Sequence, residues 1–140
     1  MQKLFKDTRL LDKAVVEKYG LTEDIMMENA ASALENAVFD YAEKRNAVKI
    51  CNKSSGKKTI SVLILTGSGN NGGDGYVLGR RIAGKTVEKF IDFKVAIFPV
   101  KKPKSPMCVI QAERAKKSGV PAIQKKDLEK AVEESGIIVD

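Results

Sequence analysis

The sequence predicts an α/β fold in which a mainly parallel sheet is covered by helices, and three observations carry that reading. Ile60, Val62, Leu63, Ile64 and Leu65 form an almost unbroken apolar run, the pattern of a strand buried on both faces at the centre of a parallel sheet. Five glycines follow within nine positions, Gly67, Gly69, Gly72, Gly73 and Gly75, before residues 76–83 resume a helical pattern. Beyond them, apolar runs and amphipathic stretches alternate to the end of the chain, as successive strand–helix crossovers do.

In chain order, Thr8 is suited to cap a short helix ending near Tyr19, with Gly20 at its C′ position. Thr22 opens a longer helix to about Glu43, in which Ile25, Met26, Asn29, Ala30, Ala33, Leu34, Ala37, Val38 and Tyr41 recur at helical spacing. That stripe is expected to face the sheet or a partner, and Asn29, polar within it, needs a hydrogen-bond partner. Residues 46–58 turn to Asn, Ser, Gly and Lys and read as a surface connection. After the first strand and its glycine loop, Gly79 is placed for close packing of helix on strand and Gly84 for ending the helix. The second strand runs from about Asp92 to Phe98 and leads into Lys101, Lys102 and Lys104, where a lysine could meet a phosphate. A helix over 106–118 stopped by Gly119, a short strand over 120–123, a helix over 125–135 and a strand over 136–140 complete the alternation.

Composition excludes several kinds of chemistry. With 140 residues the chain can bury one core, and it reads as a single domain over 1–140, with N-terminal helices over 8–45 and the sheet-bearing part over 59–140. The formal charge is +7, from 25 Lys and Arg against 18 Asp and Glu. The lysines are scattered and aromatics sparse, so no nucleic-acid partner is expected. The absence of histidine removes Ser-His-Asp triads, His-ligated zinc and His general bases. Cys51 and Cys108 form no CxxC pattern and read as reduced thiols of a cytoplasmic protein. No apolar run approaches the roughly 20 residues of a membrane span, and residues 1–6 are too charged for a signal peptide.

The glycine loop is the candidate site, because glycines bring backbone N–H groups close to a ligand and a following helix N-terminus favours an anion. Residues 67–72 match the bare G-x-G-x-x-G pattern, yet the second strand lacks the acid of an NAD-dependent dehydrogenase at its end. No Walker lysine follows the loop, where Asp74, Gly75 and Tyr76 stand instead, so a kinase-type phosphate enzyme is also disfavoured. Asn70, Asn71 and Asp74 add amide oxygens and a carboxylate that suit a hydroxylated substrate or a hard cation. Asp140, at the end of the last strand, should lie beside this loop.

The run GSGNNGGDG over residues 67–75 after an apolar strand, with MMENAA over 26–31 upstream on a helix, resembles the NAD(P)HX epimerase family, that is, the YjeF N-terminal domain. The similarity extends from the first helix to Asp140. It implies a Rossmann-like three-layer α/β/α sandwich, C-terminally truncated here, and an isomerase that interconverts the R and S epimers of hydrated NADH or NADPH in nicotinamide cofactor repair. It also implies a homodimer, a separate or following ADP-dependent dehydratase, and a substrate held at Asn70, Asn71, Gly72, Gly73 and Asp74. A potassium ion would be bound by Asn71 and Asp140, and Asp140 is the expected catalytic residue. The second glycine loop of that family is absent, so the 140-residue form is expected to be catalytically poor. The rival reading is a non-catalytic dinucleotide- or protein-binding module on the same fold.

Overall fold

The computed structural model describes residues 9–44, 58–87 and 91–140. Helices α1 (Arg9–Tyr19) and α2 (Glu23–Lys44) come first, joined through Gly20 in the left-handed conformation at φ +66°. Thr22 caps α2 as expected, its hydroxyl accepting from the Ile25 N–H at 3.3 Å. Thr8, Cys51 and the expected surface connection, but for its last residue, fall outside the described residues.

Strand β1 (Lys58–Thr66) leads to α3 (Asn70–Ile82), β2 (Thr86–Val87), β3 (Ile91–Pro99), α4 (Pro106–Lys117), α5 (Leu128–Glu134) and β4 (Ile137–Val139). The sheet order is β2-β3-β1-β4; β1 pairs in parallel with β3 along its length and with β4 through Ile64 and Val139, and only the two-residue β2 is antiparallel. Sequence periodicity does not reach β2, because two residues show no period. The expected strand at 120–123 reduces to one parallel bridge between Ile97 and Ala122, Pro121 having no N–H to extend a ladder. The expected helix at 125–135 is a single 3-10 turn followed by the seven residues of α5.

Ile60, Val62 and Ile64 of β1 share a core with Val77, Leu78 and Ile82 of α3 and with Phe93, Val95 and Ile97 of β3. Leu63, only 1% exposed, points to the opposite face, where α5 lies against β1. Right-handed crossovers require this arrangement: the chain moves outward from β1 to β3 with α3 and α4 on one face, then returns across β1 to β4 with α5 on the other. The result is the expected three-layer α/β/α sandwich with a mainly parallel sheet.

Helix α2 corrects the expected apolar stripe. Its buried positions are Met27, Ala31, Glu35, Val38 and Ala42, whereas Ile25, Leu34 and Tyr41 are 44%, 38% and 42% exposed. Asn29 is exposed as well, and its polarity therefore needs no buried partner. An acid lies on the buried face because cations of α3 and of the turn after it meet it there. Arg81 donates to Glu35 Oε2 through Nη2 at 2.7 Å and Nε at 2.9 Å, and Lys85 donates to Oε1. Arg80 donates to Glu28. At the other end of α2, Asp24 accepts from Gln111 Nε2 and Arg114 Nη1 of α4, both at 2.7 Å. The three helices of one face are thus cross-tied by charge.

Burial alone would raise the Glu35 carboxyl, but the hydrogen bonds from Lys85 and Arg81 outweigh it and hold the group below its ordinary value of 4.5. The stability it contributes is fully present above that value and is lost as pH falls through the lowered folded one. Arg81→Ala removes one of the two cations that hold the buried Glu35 carboxylate, leaving Lys85, and should cost about 2 kcal/mol. Urea unfolding of that variant, compared with a Glu35→Leu/Arg81→Met double variant, provides the check: the double variant should be the more stable of the two, and the reverse order would show that the pair is not what holds α2 on α3.

Candidate functional site

The site is built where β1 passes into α3. The sequence places a glycine loop through Gly75, but the helix already begins at Asn70, so Gly72, Gly73 and Gly75 are helical. None of these glycines has a positive φ; contact distance is what demands them. A Cβ on Gly72 would stand 2.2 Å from the Gly67 carbonyl oxygen, and one on Gly73 2.8 Å from the Met27 side chain. Both are buried. Of the five expected substrate contacts, these two let α3 start directly against the strand end and α2, Gly72 also lines the cleft that Asp140 borders, Asn70 and Asn71 are exposed and Asp74 is half-buried. Gly79 does pack on the sheet as expected, the Ile97 side chain lying 2.7 Å from where its Cβ would be.

Neighbouring loops fix this junction. The Ser68 carbonyl accepts from the N–H groups of Lys104 at 2.8 Å and Ser105 at 3.1 Å, and the Cys108 thiol donates to the Gly67 carbonyl at 3.8 Å. Burial, and then the Asp74 charge, push the Cys108 thiol up, which keeps it a donor. Gly69 at the N-cap offers no side chain to the first turn of α3. The N–H groups of that turn thus have no side-chain cap and face the crevice, the arrangement that favours an anion or an electron-rich oxygen.

Two clefts meet at Asn70, Asn71 and Asp74. One, of about 610 Å³, lies between the ends of β1 and β4 and is lined by Gly67, Gly69, the three polar residues and Asp140. It sits at the point where crossovers diverge to opposite faces of the sheet, which is where open α/β sheets bind ligands. Asp140, exposed beyond β4, is brought to the same cleft as Asn71, as expected from the strand order. The other, of about 730 Å³, lies under α1 and is walled by Asp12, Glu17, Glu23, Met26 and Met27 as well as the shared three. Met27 is core at 4% exposure. Lys101, Lys102 and Lys104 line neither cleft.

Asp12 is the contribution that sequence reasoning missed; it lies on α1, 62 positions from Asp74 in sequence, with no motif around it. Burial first, and then the Asp12 charge, raise the Asp74 carboxyl from 3.8 to about 6. Asp74 is therefore a group able to hold or release a proton in near-neutral solution. Its raised value also means that Asp74 destabilises the fold as pH climbs from about 4 to about 6, the opposite sense to Glu35. Among the described residues no group of three or more His, Cys, Asp or Glu is arranged to hold a metal ion. An amide oxygen and a carboxylate at Asn71 and Asp140 nonetheless suit a hard monovalent cation.

Helices on both faces of a parallel sheet, with an uncapped helix start at its switch point, define a Rossmann-like α/β domain. The family described as YjeF-related protein N-terminus matches residues 23–140, and the chain belongs to it. It is 47% identical over 120 residues to a bifunctional NAD(P)H-hydrate repair enzyme Nnr of Helicobacter pylori, a match covering 86% of this chain and 21% of that protein. An NAD(P)H-hydrate epimerase of Elusimicrobium minutum is 32% identical over 91 residues, or 65% of this chain and 34% of the relative. The crystal structure of yeast ynu0 superposes with a TM-score of 0.69 at 23% identity, covering 95% of this chain and 52% of that one, a likeness of fold. The chain thus spans about a fifth of its Helicobacter relative. No described helix is long and apolar enough to cross a membrane.

Carbon-detected titration of the aspartate carboxyls should find Asp74 changing near pH 6. In Asp12→Asn the Asp74 midpoint should move down yet stay above the ordinary 3.8, since burial is the larger cause. An unchanged midpoint would remove Asp12 from the site.

Proposed function

We propose that this chain carries NAD(P)H-hydrate epimerase chemistry, interconverting the R and S epimers of hydrated NADH or NADPH, as the corresponding part of a cytoplasmic cofactor-repair enzyme. The observation that carries the reading is that Asn71, from the middle of the chain, and Asp140, from its last strand end, line one cleft at the switch point of the sheet. The names of the relatives support the substrate class. In this reading the uncapped first turn of α3 takes the electron-rich groups of the dinucleotide, and Asn70 and Asn71 contact its hydroxyls or phosphates. A potassium ion held by Asn71 and Asp140 would supply a fixed positive charge there.

Inversion at the hydrated ring carbon requires a proton to be taken and returned. With no histidine in the chain, carboxylates are the natural carriers. Asp140 is exposed to the cleft and serves as the proton acceptor, while Asp74, with its raised carboxyl, hydrogen-bonds substrate as donor or acceptor according to pH. Asp140→Asn keeps size and hydrogen-bonding capacity but removes basicity, so epimerisation followed by chiral separation of the hydrates should fall by at least about 10² with melting temperature little changed. Parent-level turnover would transfer the proton-carrying role elsewhere. Dinucleotide binding by calorimetry with no turnover in either protein would favour a binding module instead.

The homodimer implied by family resemblance is supported by one exposed side of α2, where Leu34 and Tyr41 are 38% and 42% exposed beside Ala30, Ala33 and Ala37. Leu34 also borders the Asp140 cleft. Leu34→Glu should shift sedimentation from dimer to monomer. An unaltered dimer would place the interface elsewhere.

A further inference from the structure

A groove of about 580 Å³ runs between α4 and the edge of β3 at its bridge to Ala122, and it shares no lining residue with either cleft at Asp74. Its floor is apolar and well packed: Tyr76, Ile97 and Val120 are 7%, 2% and 8% exposed. Ala112 and Ala115 of α4 form one wall, and their small side chains are what leaves the space open. The groove exists because the chain after α4 makes only the single bridge between Ile97 and Ala122, so β3 has no full neighbour on that side.

The polar groups at its rim are of one sign. Lys102, from the loop after β3, and Lys116, from the last turn of α4, both line it and are both exposed, and no acidic residue takes part. The cleft under α1 is mainly acidic, carrying Asp12, Glu17, Glu23 and Asp74 against the single cation Lys13. Neither rim lysine has an ion pair among the described residues, although six carboxylates of the chain do. A concavity of this size with apolar walls and a few convergent polar groups has the dimensions of a small-molecule site, about 300–1,000 Å³. It is too small for a protein partner, which needs about 800 Å² of surface on each side.

We propose that this groove is a second ligand site, which takes a flat apolar anion: a ring system laid on Tyr76 and Ile97 between Pro99 and the alanines, with its carboxylate or sulfonate between Lys102 and Lys116. The rim cations exclude a cationic ligand and the apolar floor offers nothing to a hydrophilic one. The site is independent of the epimerase reading.

The probe is 1-anilinonaphthalene-8-sulfonate, a bicyclic apolar anion, added to the 140-residue chain with methyl-labelled alanines. One saturable site should perturb Ala112, Ala115 and Ala122 and leave Ala30, in the acidic cleft, unmoved. Lys102→Glu/Lys116→Glu, at exposed positions that should not disturb folding, should weaken binding at least about tenfold, and uncharged N-phenyl-1-naphthylamine should bind the parent at least about tenfold more weakly than the sulfonate. Ala112→Phe should fill the groove and abolish binding with both lysines in place. Perturbation centred on Ala30, non-saturating binding, or equal affinity in the charge-reversed variant would overturn the proposal. Movement of the Ala112 and Ala122 methyls with protein concentration alone would also overturn it, because the occupant would then be a second copy.

Discussion

The backbone-to-backbone contact of Gly72 with Gly67 is the constraint on which the rest of the structure depends. A Cβ at position 72 would stand 2.2 Å from the Gly67 carbonyl oxygen and 2.7 Å from its carbon, so any side chain there would push α3 away from the end of β1. That displacement would propagate. Gly79 could no longer seat on Ile97, and Arg81 and Lys85 would leave Glu35 without its cations in a 4%-exposed position. The same contact turns the first turn of α3 toward the crevice between β1 and β4, so fold and site rest on one pair of residues.

Much of the architecture was legible because its signals are local. Buried parallel strands are continuous in their apolar residues, and β1 and β3 end within a residue or two of their expected limits. Gly20, Gly84 and Gly119 stop their helices with φ of +66°, +72° and +78°, which only a residue without a Cβ adopts freely. The failures have a common physical source in long-range contact. Glycines at 72, 73 and 75 read as a loop because low helix propensity is all that sequence shows, whereas the structure keeps them helical to let neighbours approach. Glu35 has no place in an apolar stripe because its partners lie 46 and 50 positions away, and its omission misplaces the buried face of α2 by part of a turn.

The candidate site divides along the same line. Asn70, Asn71 and Asp74 announce themselves as polar groups among glycines, and parallel order places Asp140 beside them. Asp12 does not, because an acid on a largely exposed helix acquires meaning only when that helix lies over α3. Its effect is nonetheless chemical: it adds to burial in keeping Asp74 protonated to about pH 6. The two notable carboxyls of the molecule consequently oppose each other with pH. Glu35, depressed by cations, gains its stabilising effect as pH rises to its ordinary value of 4.5, while Asp74, raised by burial and a like charge, loses stability in the adjoining interval from about 4 to about 6. A raised carboxyl at a cleft residue, offset by an ion network elsewhere, accords with the proposed proton-exchange chemistry.

Net charge of +7 says little until it is distributed over this frame. The acids of α1 and the start of α2 gather over Asp74, whereas the lysines following β3 and ending α4 gather on the far side of α3 and α4. Under the proposed reading, a dinucleotide, itself anionic, would meet a mainly acidic wall under α1 and be drawn to the other cleft, where the helix start and the amides of Asn70 and Asn71 offer donors. Protonation of Asp74 relieves part of that repulsion at the boundary between the two clefts. Charge placement thus sets the orientation of approach, from the β4 side rather than from beneath α1, and the helix dipole adds to it because its positive end is the only fixed positive pole facing that crevice among the described residues lining it.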